Sequence, residues 1–311
     1  MPVSILTAAE APLREAALAL LYHRLPHGER ERQLEQTLAA VGRQELSLEH
    51  LLVAVDDGRI VGTALAVRRP GDAAFLWPPV TQAGAPAESI ASALLETVGR
   101  RVDQQGVTFT QCLIDPADDC GKSALTRGGV PHVTDLILLT RPLPGARPES
   151  VEQGLTAASY TPETHNRFAD IVERTYEGTL DCPALARIRS GAQMLESHRA
   201  TGQFKPEACL IFQLHDRDIG ILLLAEHPDR DLWEVAYMGV VPEARRRGFG
   251  RAILSRGIDL ARTSGRTAME IAVDVANAPA LRLYASLGFS EVRRFAVHLR
   301  FRRPSMPGPA E

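Results

Sequence analysis

The fold is decided by a turn between a strand and a helix, which reads Val240-Val241-Pro242-Glu243-Ala244-Arg245-Arg246-Arg247-Gly248-Phe249-Gly250. The apolar stretch Leu232–Val241 predicts a strand, and the amphipathic stretch from Gly250 to Thr263 predicts a helix. Where a glycine-rich turn leads into a helix, the unpaired backbone N–H groups of the first helical turn lie at the positive end of the helix dipole. Gly248 and Gly250 let the backbone approach an anion closely. The turn therefore predicts a phosphate site, with a solvated arginine cluster on an ordinary turn as the alternative.

A second motif follows downstream of this turn. Residues 273–277 predict the end of a strand, and Ala278–Leu287 predict a short helix that Gly288 closes. The stretch reads Asn277-Ala278-Pro279-Ala280-Leu281-Arg282-Leu283-Tyr284-Ala285-Ser286-Leu287-Gly288-Phe289. The two motifs, Q/R-x-x-G-x-G/A and N-x-x-A-x-x-L-Y-x-x-x-G-F, resemble the acyl-CoA pyrophosphate loop and a second signature of the GNAT superfamily of N-acyltransferases. The resemblance covers residues 155–303 directly.

The resemblance implies an α/β fold of two tandem acyl-CoA N-acyltransferase (GNAT) domains. Each would be a mixed, mostly antiparallel central sheet flanked by helices. In this family the fourth and fifth strands of a domain splay apart, and acyl-CoA enters the gap between them. The tandem arrangement is similar in architecture to that of the mycothiol synthases.

An internal repeat supports the tandem arrangement. Asp115 matches Asp274 and Gly129 matches Gly288 at one shared offset (274 − 115 = 288 − 129 = 159). The same offset maps the turn Arg245–Gly250 onto residues 86–91, where both glycines are absent and a proline removes a backbone donor. The sequence therefore predicts a degenerate first copy and a catalytic second copy.

The predicted domains follow from this repeat. Residues 1–142 form the degenerate N-terminal GNAT-like domain, and residues 154–303 form the catalytic C-terminal domain. Between them, residues 143–153 contain prolines and a glycine that predict a stiff linker. The proline-rich end, residues 304–311, predicts a disordered tail.

Composition excludes several classes of partner and cofactor. The chain has 311 residues and a formal net charge of −3, which offers no basic surface for nucleic acid. Its 4 cysteines show no metal-ligand spacing, so we expect reduced thiols and no metal. The N-terminus lacks the pattern of a secretory signal, and no apolar stretch approaches the roughly 20 residues that span a bilayer. We expect a cytoplasmic protein with no membrane partner.

The resemblance also implies how acetyl-CoA, the co-substrate, is held. Its pyrophosphate would accept hydrogen bonds from the backbone N–H groups of Arg246, Arg247, Gly248, Gly250 and Arg251. The backbone of Met238 and Val240, on the fourth strand, would pair with the pantetheine amides. Arg245 either contacts the cofactor or is a surface arginine closing onto a helix. Asn277 either bonds the cofactor through its amide or caps the helix that follows it.

The resemblance implies two catalytic residues. Tyr284 is the candidate general acid for the departing CoA thiolate, with packing under the sheet as the alternative role. Full proton transfer from a phenol of pKa about 10 to a thiolate of pKa about 8.5 is uphill by about 2 kcal/mol, so a hydrogen bond is as plausible as complete transfer. Glu234 is the candidate base, acting through water or with a raised pKa, and an exposed strand glutamate is its alternative role.

The sequence gives the weakest indication of which residues bind the acceptor substrate. Glu177, Asp181 and Tyr237 are candidates for binding the acceptor, although Asp181 also suits a cap before Pro183. The implied reaction moves an acetyl group from acetyl-CoA to a primary amine by direct attack in a ternary complex. Two alternatives stay open: a non-catalytic acyl-CoA-binding or regulatory module, and a protein N-terminal acetyltransferase acting on a peptide amine. The sequence leaves open the acceptor, the acyl length and the oligomeric state.

Overall fold

The computed structural model describes residues 3–23, 25–143, 154–186 and 188–302. Of the predicted linker only Leu143 falls in these ranges, and the predicted tail lies outside them. The chain divides into two compact units: unit 1 comprises Met1–Val133 with Ala296–Glu311, and unit 2 comprises Thr134–Phe295. No helix in the described ranges is long and apolar enough to cross a membrane.

Unit 1 is a mixed sheet with helices. Its elements are β1 (Ser4–Thr7), α1 (Ala11–Leu21), α2 (His27–Gly42), β2 (His50–Asp56), β3 (Arg59–Arg69), β4 (Ala73–Thr81), α3 (Ala87–Gln104), β5 (Phe109–Ile114) and α4 (Asp119–Arg127). The strands follow one another in order from β1 to β5, and residues 296–301 add a further antiparallel strand beside β5. Only the β4–β5 pair is parallel among these described ladders.

Alternating side chains of unit 1 build a core on each face of its sheet. Leu51 and Leu52 are neighbours on β2 and are both 0% exposed, yet they belong to different apolar clusters. Because successive strand residues point to opposite faces, the two clusters lie on opposite sides of the sheet. Helix α3 covers one side with Ile90, Leu94 and Val98, which recur every four residues along it. Helix α1 covers the other side.

Unit 2 has the same kind of sheet. Its elements are β6 (His132–Pro142), β7 (Thr156–Ser159), α5 (His165–Tyr176), α6 (Pro183–Ala186), α7 (Gly191–Arg199), β8 (Gln203–Leu214), β9 (Arg217–His227), β10 (Leu232–Val240), α8 (Phe249–Thr263), β11 (Ala268–Asp274), α9 (Ala278–Ser286) and β12 (Ser290–Phe301), the last continuing into unit 1. The strand order is β6-β11-β10-β9-β8-β7. Helix α8 packs on one face of this sheet, and α5 and α7 pack on the other.

Two strands of unit 2 separate as the resemblance implies. β10 and β11 pair in parallel over three positions, from Leu232↔Ala268 to Glu234↔Glu270. β10 then continues to Val240 and β11 to Asp274 without further pairs between them. Unit 1 repeats this arrangement, because β4 and β5 begin their parallel pairing 159 residues earlier, at Ala73↔Phe109. A gap therefore opens along the second half of β10.

The compact units do not follow the predicted boundary at residue 142. Residues 136–142 pair antiparallel with β11 from Leu136↔Asp274 to Pro142↔Ala268, so most of β6 belongs to unit 2. Residues 296–301 pair with β5 and belong to unit 1. Each unit thus takes its edge strand from the other half of the sequence, because a sheet edge accepts any strand of matching register.

The sequence predicts helices over residues 162–176 and 183–201 and strands over 289–292 and 294–301, and the observed elements differ in detail. The helix expected over residues 183–201 is two helices, α6 and α7, since Ser190 and Gln193 form a capping box that starts a new helix. Two short strands were expected over 289–301, but β12 is continuous from Ser290 to Phe301 because no turn residue interrupts it. The helix expected from Pro162 begins as a 3-10 turn and becomes α-helical at His165.

Candidate active site

Backbone hydrogen bonds set which residues of β10 face the gap. The Val241 N–H donates to Ile219 O on β9 at 3.0 Å. Because hydrogen-bonded residues alternate along an antiparallel ladder, Gly239 also turns its backbone groups to β9. Met238 and Val240 therefore turn their N–H groups away from β9 and into the gap. These are the two residues that the resemblance assigns to the pantetheine amides.

The glycine-rich loop ends at the mouth of this gap. Gly248 is the N-cap of α8 with φ of 84°, a backbone conformation that side chains other than glycine rarely adopt. Within the described residues, the backbone N–H groups of Arg246, Arg247, Gly248, Phe249 and Gly250 have no protein acceptor. The Arg251 N–H donates to Gly248 O at 3.0 Å and is the exception among the predicted phosphate donors. Five free donors at a helix start make a strong anion site.

The arginine side chains of the loop face in different directions. The Arg245 guanidinium donates to three backbone carbonyls: Val240 O at 3.0 Å, Thr175 O at 2.9 Å and Gly178 O at 3.2 Å. Arg247 lies over the Phe249 ring, 5.1 Å from its centroid. Arg251 donates to the Ser286 hydroxyl at 2.9 Å. Arg245 thus joins β10, the end of α5 and the segment after it.

Helix α9 places Tyr284 on the face of the sheet that α8 covers, beside the gap. Tyr284 is 6% exposed and packs beside Phe289, and burial raises the pKa of its phenol. Asn277 accepts a hydrogen bond from the Ala280 N–H at 3.3 Å and so caps α9. A Cβ on Gly250 would lie 3.3 Å from Leu283, so the start of α8 sits closely against α9. The loop and the tyrosine are therefore neighbours.

Glu234 lies at the closed end of the gap, where β10 last pairs with β11. Its carboxylate oxygen Oε2 is 2.9 Å from His227 Nε2, and its side chain is 27% exposed. His227 ends β9, one strand away, so sequence reasoning about β10 alone did not identify it. The two groups are thus within ion-pair distance of each other beside the closed end of the gap.

Three aromatic rings cover β10 on the face of the sheet where α5 and α7 pack. Tyr237 stacks on His198 with centroids 4.5 Å apart and on Tyr176 at 5.1 Å. The Tyr176 hydroxyl lies 3.1 Å from His198 Nε2, and the Tyr237 hydroxyl lies 2.8 Å from Thr175 Oγ1. Sequence analysis singled out Tyr237 but missed Tyr176 and His198. Tyr176 and His198 meet Tyr237 only because α5 and α7 pack on the sheet, and no local sequence motif indicates this packing.

Asp181 links the segment after α5 to the end of β11 through a hydrogen bond. Its Oδ1 accepts the Asp274 N–H at 2.7 Å, and Asp274 Oδ2 in turn accepts the Cys182 N–H at 3.0 Å. Burial raises the pKa of Asp181 to about 6, and the neighbouring Asp274 carboxylate adds to the increase. The Asp181 charge also acts on Tyr284, Tyr237 and Tyr176, so it lies among the site's phenols. Glu177, by contrast, is an exposed residue directly after α5.

Three matching positions in unit 1 carry different residues. The counterpart of Met238 is Pro79, which has no backbone N–H to offer (238 − 159 = 79). The helix matching α8 begins after Pro86, and the counterpart of Tyr284 is Leu125, which is 0% exposed. Among the described residues of both units, no group of His, Cys, Asp or Glu side chains is placed to hold a metal ion.

Sequence comparison identifies relatives over most of the chain. The sequence profile of the Acetyltransferase (GNAT) family matches residues 174–289. A mycothiol acetyltransferase of Thermomonospora curvata is 30% identical over 260 residues, spanning 81% of this chain and 82% of that protein. A mycothiol acetyltransferase of Clavibacter michiganensis is 27% identical over 275 residues, spanning 86% and 84%.

Solved structures extend the similarity of fold to nearly the whole chain. A GCN5-related N-acetyltransferase from Sphaerobacter thermophilus superposes with a TM-score of 0.66 at 18% identity, over 97% of both chains. A tandem GNAT protein from the clavulanic acid biosynthesis pathway superposes with a TM-score of 0.52 at 15% identity, over 98% of this chain and 100% of that one. The predicted fold class, two tandem GNAT domains, is confirmed. The chain belongs to the GNAT family of acetyltransferases.

Proposed function

We propose that unit 2 transfers an acetyl group from acetyl-CoA to a primary amine, by direct attack in a ternary complex. One observation carries the proposal: the gap beside Met238 and Val240 opens next to a helix start with five free N–H groups. The gap presents donors to an acyl-pantetheine chain, and the helix start presents donors to its pyrophosphate. In unit 1, Pro79 replaces one of the two gap donors and Pro86 stands where the loop of unit 2 begins, so we assign the reaction to unit 2 alone.

The free N–H groups of the loop are proposed to hold the pyrophosphate. Hydrogen bonds to a charged acceptor contribute roughly 1.5–3 kcal/mol each, so two or three of them account for firm binding. The Arg245 side chain is proposed to support this loop rather than contact the cofactor, because its guanidinium is occupied by three carbonyls. Asn277 is proposed to act as the cap of α9.

Acetyl-CoA, when bound, supplies an acetyl group activated as a thioester. The N–H groups of Met238 and Val240 are proposed to polarise its carbonyl, since they point into the gap. Tyr284 keeps its proton at neutral pH because burial raises the pKa of its phenol. It therefore donates a hydrogen bond to the departing thiolate sulfur, and stabilises the thiolate without giving up the proton completely.

Glu234 and His227 are proposed to accept the proton of the incoming amine. An alkylammonium of pKa about 10 has no free lone pair at neutral pH, so it must lose a proton before it attacks. The carboxylate and the imidazole lie 2.9 Å apart at the closed end of the gap, and we propose that the proton passes through this pair. Asp181, buried among the tyrosines at the other end of β11, is proposed to attract the acceptor's ammonium group as it approaches.

The acceptor is proposed to be a small amine related to mycothiol. Two relatives that match over most of their length are named mycothiol acetyltransferases. A small amine also suits an acceptor face that Tyr176, His198 and Tyr237 cover closely.

The test is CoA release with a panel of mycothiol-related amines, other small amines and peptides, on wild type and Tyr284→Phe. The matched control is Tyr160→Phe, since Tyr160 is also in unit 2 and is 7% exposed against 6% for Tyr284. We expect Tyr284→Phe to lower kcat by about 100-fold or more and to leave acetyl-CoA binding within about twofold. Tight acetyl-CoA binding without turnover would instead favour a regulatory acyl-CoA-binding module, and a preference for peptides would favour an N-terminal acetyltransferase.

A further inference from the structure

The register of β10 changes by one residue at Ala236. Val235 pairs with Leu224 on β9, whereas Tyr237 pairs with Leu223, so Ala236 is an extra residue in a β-bulge. A shift of one residue reverses which backbone groups of a strand point to its neighbour. Without the bulge, Met238 would turn its N–H to β9. The bulge is therefore what directs this N–H group into the gap.

A bulge leaves the backbone of its extra residue without a ladder partner. His198, at the end of α7, supplies that partner through a hydrogen bond to the Ala236 backbone. The ring is held on two further sides, by the Tyr176 hydroxyl at 3.1 Å from Nε2 and by the Tyr237 ring at 4.5 Å between centroids. Position and orientation of the imidazole are thus fixed by three contacts.

The imidazole is neutral at physiological pH. Burial lowers the pKa of His198 to about 3, and the positive charge of Arg189 adds to the decrease. A neutral imidazole has one N–H donor and one acceptor nitrogen. With Nε2 accepting from the Tyr176 hydroxyl, the ring's N–H is the group that donates to the Ala236 backbone. Both nitrogens are then occupied, which leaves none to exchange protons with a substrate.

We propose that His198 is a positioning residue that holds the Ala236 bulge, and through it keeps the N–H groups of Met238 and Val240 directed into the gap. The inference rests on the proposed function only for its catalytic consequence. The structural part concerns the register of β10 and is present without any ligand.

Amide hydrogen exchange in the ligand-free protein tests the structural part. In wild type we expect the Tyr237 and Gly239 amides, which face β9, to be protected and the Met238 and Val240 amides to exchange quickly. His198→Phe keeps a ring for stacking but removes the N–H, and we expect it to lower protection at Tyr237 and Gly239 by about tenfold. His198→Asn restores a side-chain donor and should recover most of that protection.

The matched control is His165→Phe. His165 also pairs with a tyrosine in unit 2, through Nδ1 at 3.0 Å from the Tyr160 hydroxyl, but it lies on α5 away from the bulge. Unchanged exchange along β10 in His198→Phe, or an equal loss in His165→Phe, would overturn the proposal. If His198→Phe does not fold, Tyr176→Phe replaces it, and an unaltered exchange pattern there would count against the proposal.

Acetyl-CoA titration and turnover then test the consequence. We expect His198→Phe to weaken acetyl-CoA binding and lower kcat by about tenfold each, without moving the pH profile of kcat, and His198→Asn to recover both. A shifted pH profile would show that His198 exchanges protons and would contradict the positioning role. Absence of acetyl-CoA binding by wild type would refute the proposed function, while the exchange result would still decide the role of His198.

Discussion

Replacing Arg245 by methionine is expected to destabilise unit 2 as well as weaken acetyl-CoA binding. The guanidinium bonds the carbonyls of Val240, Thr175 and Gly178 at 3.0, 2.9 and 3.2 Å. Hydrogen bonds from a charged donor contribute about 1.5–3 kcal/mol, and water can replace the exposed bond to Gly178. The remaining two bonds, partly replaced by water, give an expected loss of about 2–4 kcal/mol in the free energy of unfolding.

Tryptophan fluorescence during urea unfolding can measure this loss for unit 2 separately. The chain has 2 tryptophans, Trp77 in unit 1 and Trp233 in unit 2, so a Trp77→Phe background reports on unit 2. Arg247→Met is the matched control, because Arg247 only lies over the Phe249 ring and should contribute less than about 1 kcal/mol. If Arg245→Met weakened acetyl-CoA binding and left the unfolding curve unchanged, direct contact with the cofactor would replace the supporting role.

Two further predictions use the same fluorescence assay. The folded-state pKa of Asp181, about 6, lies above that of an unfolded aspartate, about 3.9, so its contribution to stability is present below pH 4 and is lost as the pH rises through 6. Asp181→Asn should abolish this fall in the free energy of unfolding between pH 4 and pH 6. An unchanged pH dependence of the unfolding free energy would contradict the raised pKa. Gly239→Ala should destabilise unit 2 by about 1–3 kcal/mol, because the added Cβ would lie 2.6 Å from Thr175 Cβ and 2.9 Å from the Tyr237 hydroxyl. Gly42→Ala, whose added Cβ meets nothing within 4 Å, lies in unit 1 and should be near neutral there when followed in a Trp233→Phe background; equal effects would refute the steric argument.

The elements around the loop were predictable because their signals are local. Strand β11 ends at Asp274, within the stretch 273–277 that predicts the end of a strand, and α8 begins at Phe249, one residue before the predicted start. Alternation of apolar residues, a glycine with positive φ and a helix start all depend on neighbours in sequence. The repeat offset of 159 also locates the parallel pairing of both units.

Long-range partners were not predictable in the same way. The linker composition placed the domain boundary after residue 142, yet residues 136–142 pair with β11, and only the register of distant strands decides such a pairing. His227 and His198 contact site residues from other strands and helices, and no sequence pattern links them to β10. The Arg245 side chain likewise reaches the Thr175 carbonyl only when α5 is packed on the sheet.

The central claim is that one acetyl-CoA binds per chain, at the loop of unit 2. Isothermal titration of acetyl-CoA into wild type, Gly248→Glu and Gly265→Glu tests it most directly. The two glycines have matching φ values of 84° and 83°, so both variants strain the backbone alike and only the first puts a carboxylate among the loop donors. We expect one site in wild type, a loss of about 100-fold or more in Gly248→Glu, and wild-type binding in Gly265→Glu. Two sites per chain, or binding that survives in Gly248→Glu, would contradict the claim.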